Sequence, residues 1–260
     1  MTNTSLTLAC INLWRHPRRS ILTIAAMVFA NVLLVFMLGL QLGQYRMMID
    51  NSLRIFTGQM QVQDKDYLDE PQMYRSVPDA DRIAAQIRQV TGLDAVSTRG
   101  YGFALVSSEK RTIGVQVTGV DPDHEPQVSS IPGLVSKGRF LSSASANEAI
   151  IGATLARNLK ADIGEELTLL GSGKDGSIAA TIVPVVGIFD SGSEDLDRQM
   201  IEMPIDTFRD VFAMGDHAHS IIVAGDRELA EQYSHEIKQI IAGDEKLVLH
   251  DWETLMPGLR

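Results

Sequence analysis

Hydrophobic and polar positions along this chain change period several times, and each change marks an element. The longest pattern is unbroken: ILTIAAMVFANVLLVFMLGLQL, residues 21–42, carries no formal charge over 22 positions. As a helix it would be about 33 Å long, enough to cross a bilayer, and Asn31 within it costs little against so many aliphatic neighbours. Ahead of it, Leu6, Leu8, Ile11, Leu13 and Trp14 lie among polar residues, as in a short helix resting on a membrane surface. Behind it, Tyr45, Ile49, Leu53 and Phe56 recur at helical steps, which predicts that the helix continues as a stalk until Gly58.

The pattern then shifts to period two. QMQVQ, residues 59–63, predicts a strand; residues 78–90 place Ile83, Ile87 and Val90 on one helical face before Thr91-Gly92; strands follow near 103–106 and 113–117. Toward the other end, SIIVA at 220–224 precedes Asp226 as an N-cap, a helix presenting Leu229, Tyr233, Ile237 and Ile240, a stop at Gly243, and the strand KLVLH at 246–250. Both units read strand, helix, strand, which lays a helix on one face of a sheet. Residues 119–219 between them read as short strands with a brief helix at 153–159. The expected fold class is therefore α+β: one transmembrane helix with a stalk, then an α+β domain interrupted by a mostly β insert.

Charge gives this architecture a direction. Residues 1–43 hold Arg15, Arg18 and Arg19 and no acid, a charge of +3, whereas the rest carries −13. The arginines sit just before the apolar run, so the positive-inside bias keeps the N-terminus in the cytoplasm and sends the residues after Gln44 across. The apolar run is longer than that of a cleaved leader and nothing like A-x-A follows it, which favours an uncleaved anchor. An acidic bulk argues against nucleic acid as a partner. Cys10 is the lone cysteine, so no intrachain disulfide can form, and without an apolar run before it LAC reads as an ordinary buried or interfacial thiol.

Four stretches invite a chemical reading. GSGKDGS, residues 171–177, looks like a phosphate cradle, but Thr168 or Leu169, by either count, stands where the first glycine belongs and Asp175 where a magnesium-binding hydroxyl belongs. Flanked by ELTLL and SIAATIVPVV, it reads as the turn of a β-hairpin, with Lys174 solvated at the tip. His217 and His219 could face one side of a strand, yet no third metal ligand is placed nearby. DPDHEP, residues 121–126, reads as a solvated loop, and DSGSEDLD, residues 190–197, as a flexible acidic surface segment without the spacing of a calcium loop. No residue is singled out as catalytic, cofactor-binding or metal-ligating.

GRFL at 138–141, followed by NEAIIGATLARNLKADIGEELTLL at 147–170, closely resembles the MacB/FtsX-like permeases of ABC transporters. The likeness extends to NLWRHPRRSILTIA at 12–25, VTGVDPD at 117–123, VVGIFDSG at 185–192 and HDWETLMPGL at 250–259. The resemblance implies a non-catalytic subunit with four spans, a large periplasmic or extracellular domain after the first, and ATP hydrolysis on a separate ABC ATPase subunit. It also implies a second permease copy or homologue as a dimer partner, contact with membrane lipid, a periplasmic carrier or outer-membrane partner, and no cofactor. The implied work is export or lipoprotein release at the inner membrane.

Laid on this sequence, the family divides the chain into a cytoplasmic amphipathic segment (1–20), a transmembrane helix (21–43), a stalk (44–58), a porter-type subdomain in two parts (59–118 and 220–253), an inserted subdomain (119–219), and a lead-in to a second span (254–260). The sequence ends at Arg260, where that span is expected, so the reading is of a fragment or a truncated product. Family members that hand lipoproteins to a carrier have a longer hook at the hairpin occupied here by GSGKDGS. The competing reading is a single-pass membrane-anchored sensor or binding module.

Overall fold

The structure is a computed structural model that describes residues 17–109, 111–225 and 230–257. The expectations for Leu6 to Trp14, Cys10, Arg15, Asp226 and Leu229, and for the side chains of Ile49 and Phe56, lie outside the described residues. The chain divides into two compact units, one up to Asp50 and one from Asn51 onward.

The first unit holds helix α1 (Pro17–Ser52) up to Asp50, its last two residues being counted in the second unit. Its stretch Pro17–Tyr45 is 29 residues long with a mean hydropathy of 2.6, and its large apolar side chains, such as Leu22, Phe29 and Phe36, are exposed. Such a helix is long and apolar enough to cross a membrane. A single wider turn follows at Leu53–Thr57, closed where Gly58 donates its N–H to the Leu53 carbonyl at 2.8 Å. Gly58 has φ 69°, and a Cβ there would lie 2.4 Å from Ile222, so the exit from this turn requires glycine twice over.

The second unit begins with β1 (Met60–Asp64), α2 (Ala80–Thr91), β2 (Val96–Ser107) and β3 (Thr112–Val120). After the short α3 (Glu125–Val128) come β4 (Val135–Gly138), β5 (Ala149–Gly152), α4 (Ala153–Leu159), β6 (Glu166–Ser172) and β7 (Ile178–Phe189). The chain closes with α5 (Glu194–Gln199), β8 (Met200–Pro204), α6 (Ile205–Val211), β9 (Ser220–Val223), α7 (Ala230–Ile241), β10 (Leu247–Asp251) and α8 (Trp252–Leu255). Helix α2 shows how locally such boundaries are set: Ile83, Ala84 and Ile87 are its buried stripe, and Gly92, at φ 69°, donates to the Arg88 carbonyl and stops it.

All the strands form one sheet of ten. At one end the order β10-β1-β9-β2 is antiparallel throughout, and α2 and α7 pack on one face over Val62, Ile221, Val223, Ile87 and Ile237. The two strand-helix-strand units interlock there, because β9 lies between β1 and β2 while β1 lies between β9 and β10. At the other end the sheet closes on itself through the pairs β2-β3, β3-β8, β8-β5, β5-β7, β7-β6 and β6-β2. This small barrel is filled by Val106, Val117, Ile151, Leu167, Leu169, Val183 and Ile201, with Phe208 and Phe212 of the α6 segment against it. Closing the barrel removes free strand edges that a hairpin-rich segment would otherwise expose.

Candidate functional site: a buried charged seam

Strand β2 belongs to both ends of the sheet, and Arg99 marks the change of partner. It is paired with Ser220 of β9 on one side and Val120 of β3 on the other. Alternation along β2 puts Ser97, Arg99 and Tyr101 on one face, and the register carries that face on through Thr118 of β3 to Glu202 of β8. Toward the other edge the same face continues through Ser220 and Gln63. Segment 121–134 covers part of it, so this polar stripe is buried instead of wet.

At its centre Arg99 and Glu125 are both fully buried and form an ion pair through Arg99 Nη2 and Glu125 Oε1, with a second contact from Nε to Oε2 at 3.3 Å. The Ser97 hydroxyl donates to the same Oε2 at 3.0 Å. Burial disfavours the guanidinium, but the neighbouring carboxylate outweighs it and raises the Arg99 pKa further. Glu202 is also fully buried, yet neither of its carboxyl oxygens has a hydrogen-bond partner, and the Thr118 hydroxyl beside it has none. Burial, and then the Glu125 charge, push the Glu202 carboxyl up to about 8, with Arg99 pulling weakly the other way. Arg99 and Glu125 thus form a buried ion pair beside a carboxyl that its surroundings push toward the neutral acid.

Beside this seam lies an aromatic layer. The His219 ring sits 5.2 Å from that of Tyr67 and 6.2 Å from that of Tyr101. The backbone N–H of Tyr101 donates to His219 Nδ1 at 2.9 Å, which leaves the ring proton on Nε2. Burial lowers the His219 pKa to about 4.

The structure corrects several expectations from the sequence. The stretch 121–126 is no solvated loop: Glu125 is the buried counterion of Arg99, and Asp121 accepts from the His124 ring at 2.6 Å. The stretch 190–197 is pinned, since Asp197 is buried and accepts from the Ser191 hydroxyl at 2.6 Å at the start of α5. His217 and His219 do not share a site, because His217 bonds Ser76 at 3.0 Å while His219 packs between tyrosines. Lys174 is not simply solvated either. The hairpin formed by β6 and β7 is present, but its tip is tied down by the Lys174 N–H, which donates to the Phe212 carbonyl at 2.8 Å. A committed N–H cannot cradle a phosphate.

Chemistry that would make this an enzyme is not assembled among the described residues. The contact between Ser76 and His217 is the nearest approach to a nucleophile and base, and Asp216 lies 3.7 Å from the far ring nitrogen, too long to orient it. No group of three or more His, Cys, Asp or Glu among the described residues could hold a metal ion.

A family model for the MacB-like periplasmic core domain matches residues 20–240. The chain belongs to that family. The match begins inside the apolar helix and takes in both ends of the sheet. In fold the chain is similar to the periplasmic region of MacB from Actinobacillus actinomycetemcomitans, with a TM-score of 0.56 at 13% identity over 79% of this chain and 94% of that one. It is equally similar to the extracellular domain of the noncanonic ABC-type transporter YknZ from Gram-positive bacteria, with a TM-score of 0.56 at 12% identity over 75% and 100% of the two chains. No curated protein matches by sequence. Membership in the MacB-like family supports a transporter-permease role, and an apolar helix leading into such a domain fits membrane anchoring with the domain outside the cytoplasm.

Nothing in the residue pattern announced the seam. A signal for it existed in two unusual placements: an arginine inside a strand, and a glutamate in the strand MIEMP between hydrophobic residues. Charged residues in strand interiors are rarely buried unless paired, so each invites a search for the other.

Proposed function

We propose that this chain is a non-catalytic permease subunit that couples ATP hydrolysis on a partner to movement of its extracytoplasmic domain. The observation that carries this reading is the family match running unbroken from the apolar helix into the domain, residues 20–240. The N-terminus lies in the cytoplasm, where an ABC ATPase binds, and a second permease copy or homologue completes the complex. Residues 59–118 with 220–253 act as the porter-type subdomain and 119–219 as the insert, joined through β2 and β3. Export of a substrate or release of a lipoprotein at the cytoplasmic membrane is the work of the assembly.

The test is isolation of the tagged full chain from membranes in mild detergent. An ATP-hydrolysing subunit should remain bound to it, while the chain stripped of that subunit should give no heat on titration with ATP. Lys174→Ala should leave both results unchanged. Micromolar ATP binding by the chain alone, lost in Lys174→Ala, would falsify the coupler reading.

A further inference from the structure

Among the described residues, Glu202 is the one carboxyl group with both oxygens buried and unpartnered. It is a fully buried carboxyl with no hydrogen-bond partner, one strand over from Thr118, whose hydroxyl is also without one. The guanidinium that acts on it, that of Arg99, is already engaged by Glu125. Three ionisable side chains from three separate elements, β2, α3 and β8, thus lie within electrostatic reach of one another where the open end of the sheet passes into the barrel. A buried carboxylate without a partner is costly enough that such a group sheds its charge by keeping its proton.

We propose that Glu202 is a proton-held latch: as a neutral acid it lets β8 and the α3 cover close over the Arg99–Glu125 pair, and loss of its proton to an alkaline medium loosens that joint. The groups that face it bear this out element by element. From β2 come the Arg99 cation and, in the same register row as Glu202, the Tyr101 phenol; from α3 comes the Glu125 anion, from β3 the uncharged Thr118, and from β5 the apolar Ile150, its register partner. With Glu202 neutral, the Arg99 and Glu125 charges offset each other. With Glu202 ionised, two carboxylates compete for one guanidinium in a dry site, and the surplus charge is relieved by admitting water or by drawing Glu125 away from Arg99. Either movement parts the elements that hold the porter-type end to the barrel. A domain outside the cytoplasm meets a medium whose pH is not buffered by the cell, so such a latch would report it; that relevance rests on the proposed permease role, whereas the latch itself does not.

The experiment uses the full chain in detergent micelles, without any partner. Infrared difference spectra between pH 6 and pH 9.5 should show a protonated-carboxyl C=O band that disappears at the higher pH and is missing in Glu202→Gln. Amide hydrogen exchange in residues 125–128 and 200–204, corrected for the intrinsic effect of pH, should accelerate at least tenfold over that range in the wild type. It should change less than twofold in Glu202→Gln and remain tenfold in Thr118→Val, which alters the neighbouring polarity but no titrating group. The proposal is overturned if the wild type lacks the band at pH 6, or if Glu202→Gln accelerates as the wild type does. It is equally overturned if Glu202→Gln fails to fold, since a neutral isostere must satisfy a site that needs only the neutral acid. None of these outcomes bears on ATPase association, so the two readings fail separately.

Discussion

At the scale of single residues, two buried groups give this protein a pH profile with a worked-out sign. Glu202 has a folded-state pKa raised to about 8, so between the ordinary carboxylate range and pH 8 the folded chain holds a proton that the unfolded chain has released. Its contribution is fully present at acid pH and is lost at roughly 1 kcal/mol per pH unit as pH rises toward 8. His219 acts in the opposite sense: its pKa is depressed to about 4, so stability is lost as pH falls from about 6.5 toward 4. The two slopes cancel where they overlap. Urea unfolding should therefore show a plateau between about pH 4.5 and 6.5 with a decline on either side. Glu202→Gln should remove the alkaline decline and His219→Gln the acid one; a bell without a plateau, unmoved by either substitution, would contradict these assignments. Beyond the odd placement of Glu202 among hydrophobic residues, the burial of both residues is not legible in the sequence, because a single Glu or His looks the same whether a sheet face is wet or covered. Whether it is covered here depends on segment 121–134, which is distant along the chain from Glu202.

At the scale of elements, glycine decides how two strands meet a helix. Gly100 and Gly119 are register partners on β2 and β3, and a Cβ on either would fall 2.3 to 2.5 Å from the ring of Phe208 on α6. Gly164, by contrast, faces open space and is required only for its φ of 85°. Gly119→Ala and Gly164→Val should each destabilise by about 1 to 3 kcal/mol, the first by overpacking and the second by backbone strain. Thermal melts of double mutants tell them apart. Phe208→Leu should couple favourably with Gly119→Ala, by on the order of 1 kcal/mol, and add independently to Gly164→Val. If both pairs are additive, the ring contact is not what excludes a side chain at residue 119. The same packing explains why the first half of β2, VSTRGYG, was not legible as a strand. One of its faces carries Ser97, Arg99 and Tyr101 into the seam, and the other needs Gly100 and Gly102 to admit Phe208 and Phe212. The hydrophobic alternation that betrays a strand is absent from both faces.

At the scale of the whole molecule, the unit from Asn51 onward has its own cores and a continuous sheet, so it should fold without the helix. A chain beginning at Asn51 should be soluble in detergent-free buffer and unfold in one cooperative transition by near-UV circular dichroism; aggregation or a gradual melt would show that it depends on the helix. The sequence by itself determined those features that rest on local periodicity or local chemistry. These are the apolar helix, the amphipathic stripe of α2, the brief helix α4, the strand β1 and the hairpin of β6 and β7, and with them an α+β class and a family. Each is fixed by neighbours a few residues away, where spacing and side-chain type act directly on the backbone. Tertiary structure alone decided the interlocking of β9 between β1 and β2, the closure of six strands into a barrel, and the meeting of Arg99, Glu125 and Glu202. Those depend on contacts between residues as distant along the chain as Met60 and Val223, and a buried charge is stable only through partners that no local pattern can name.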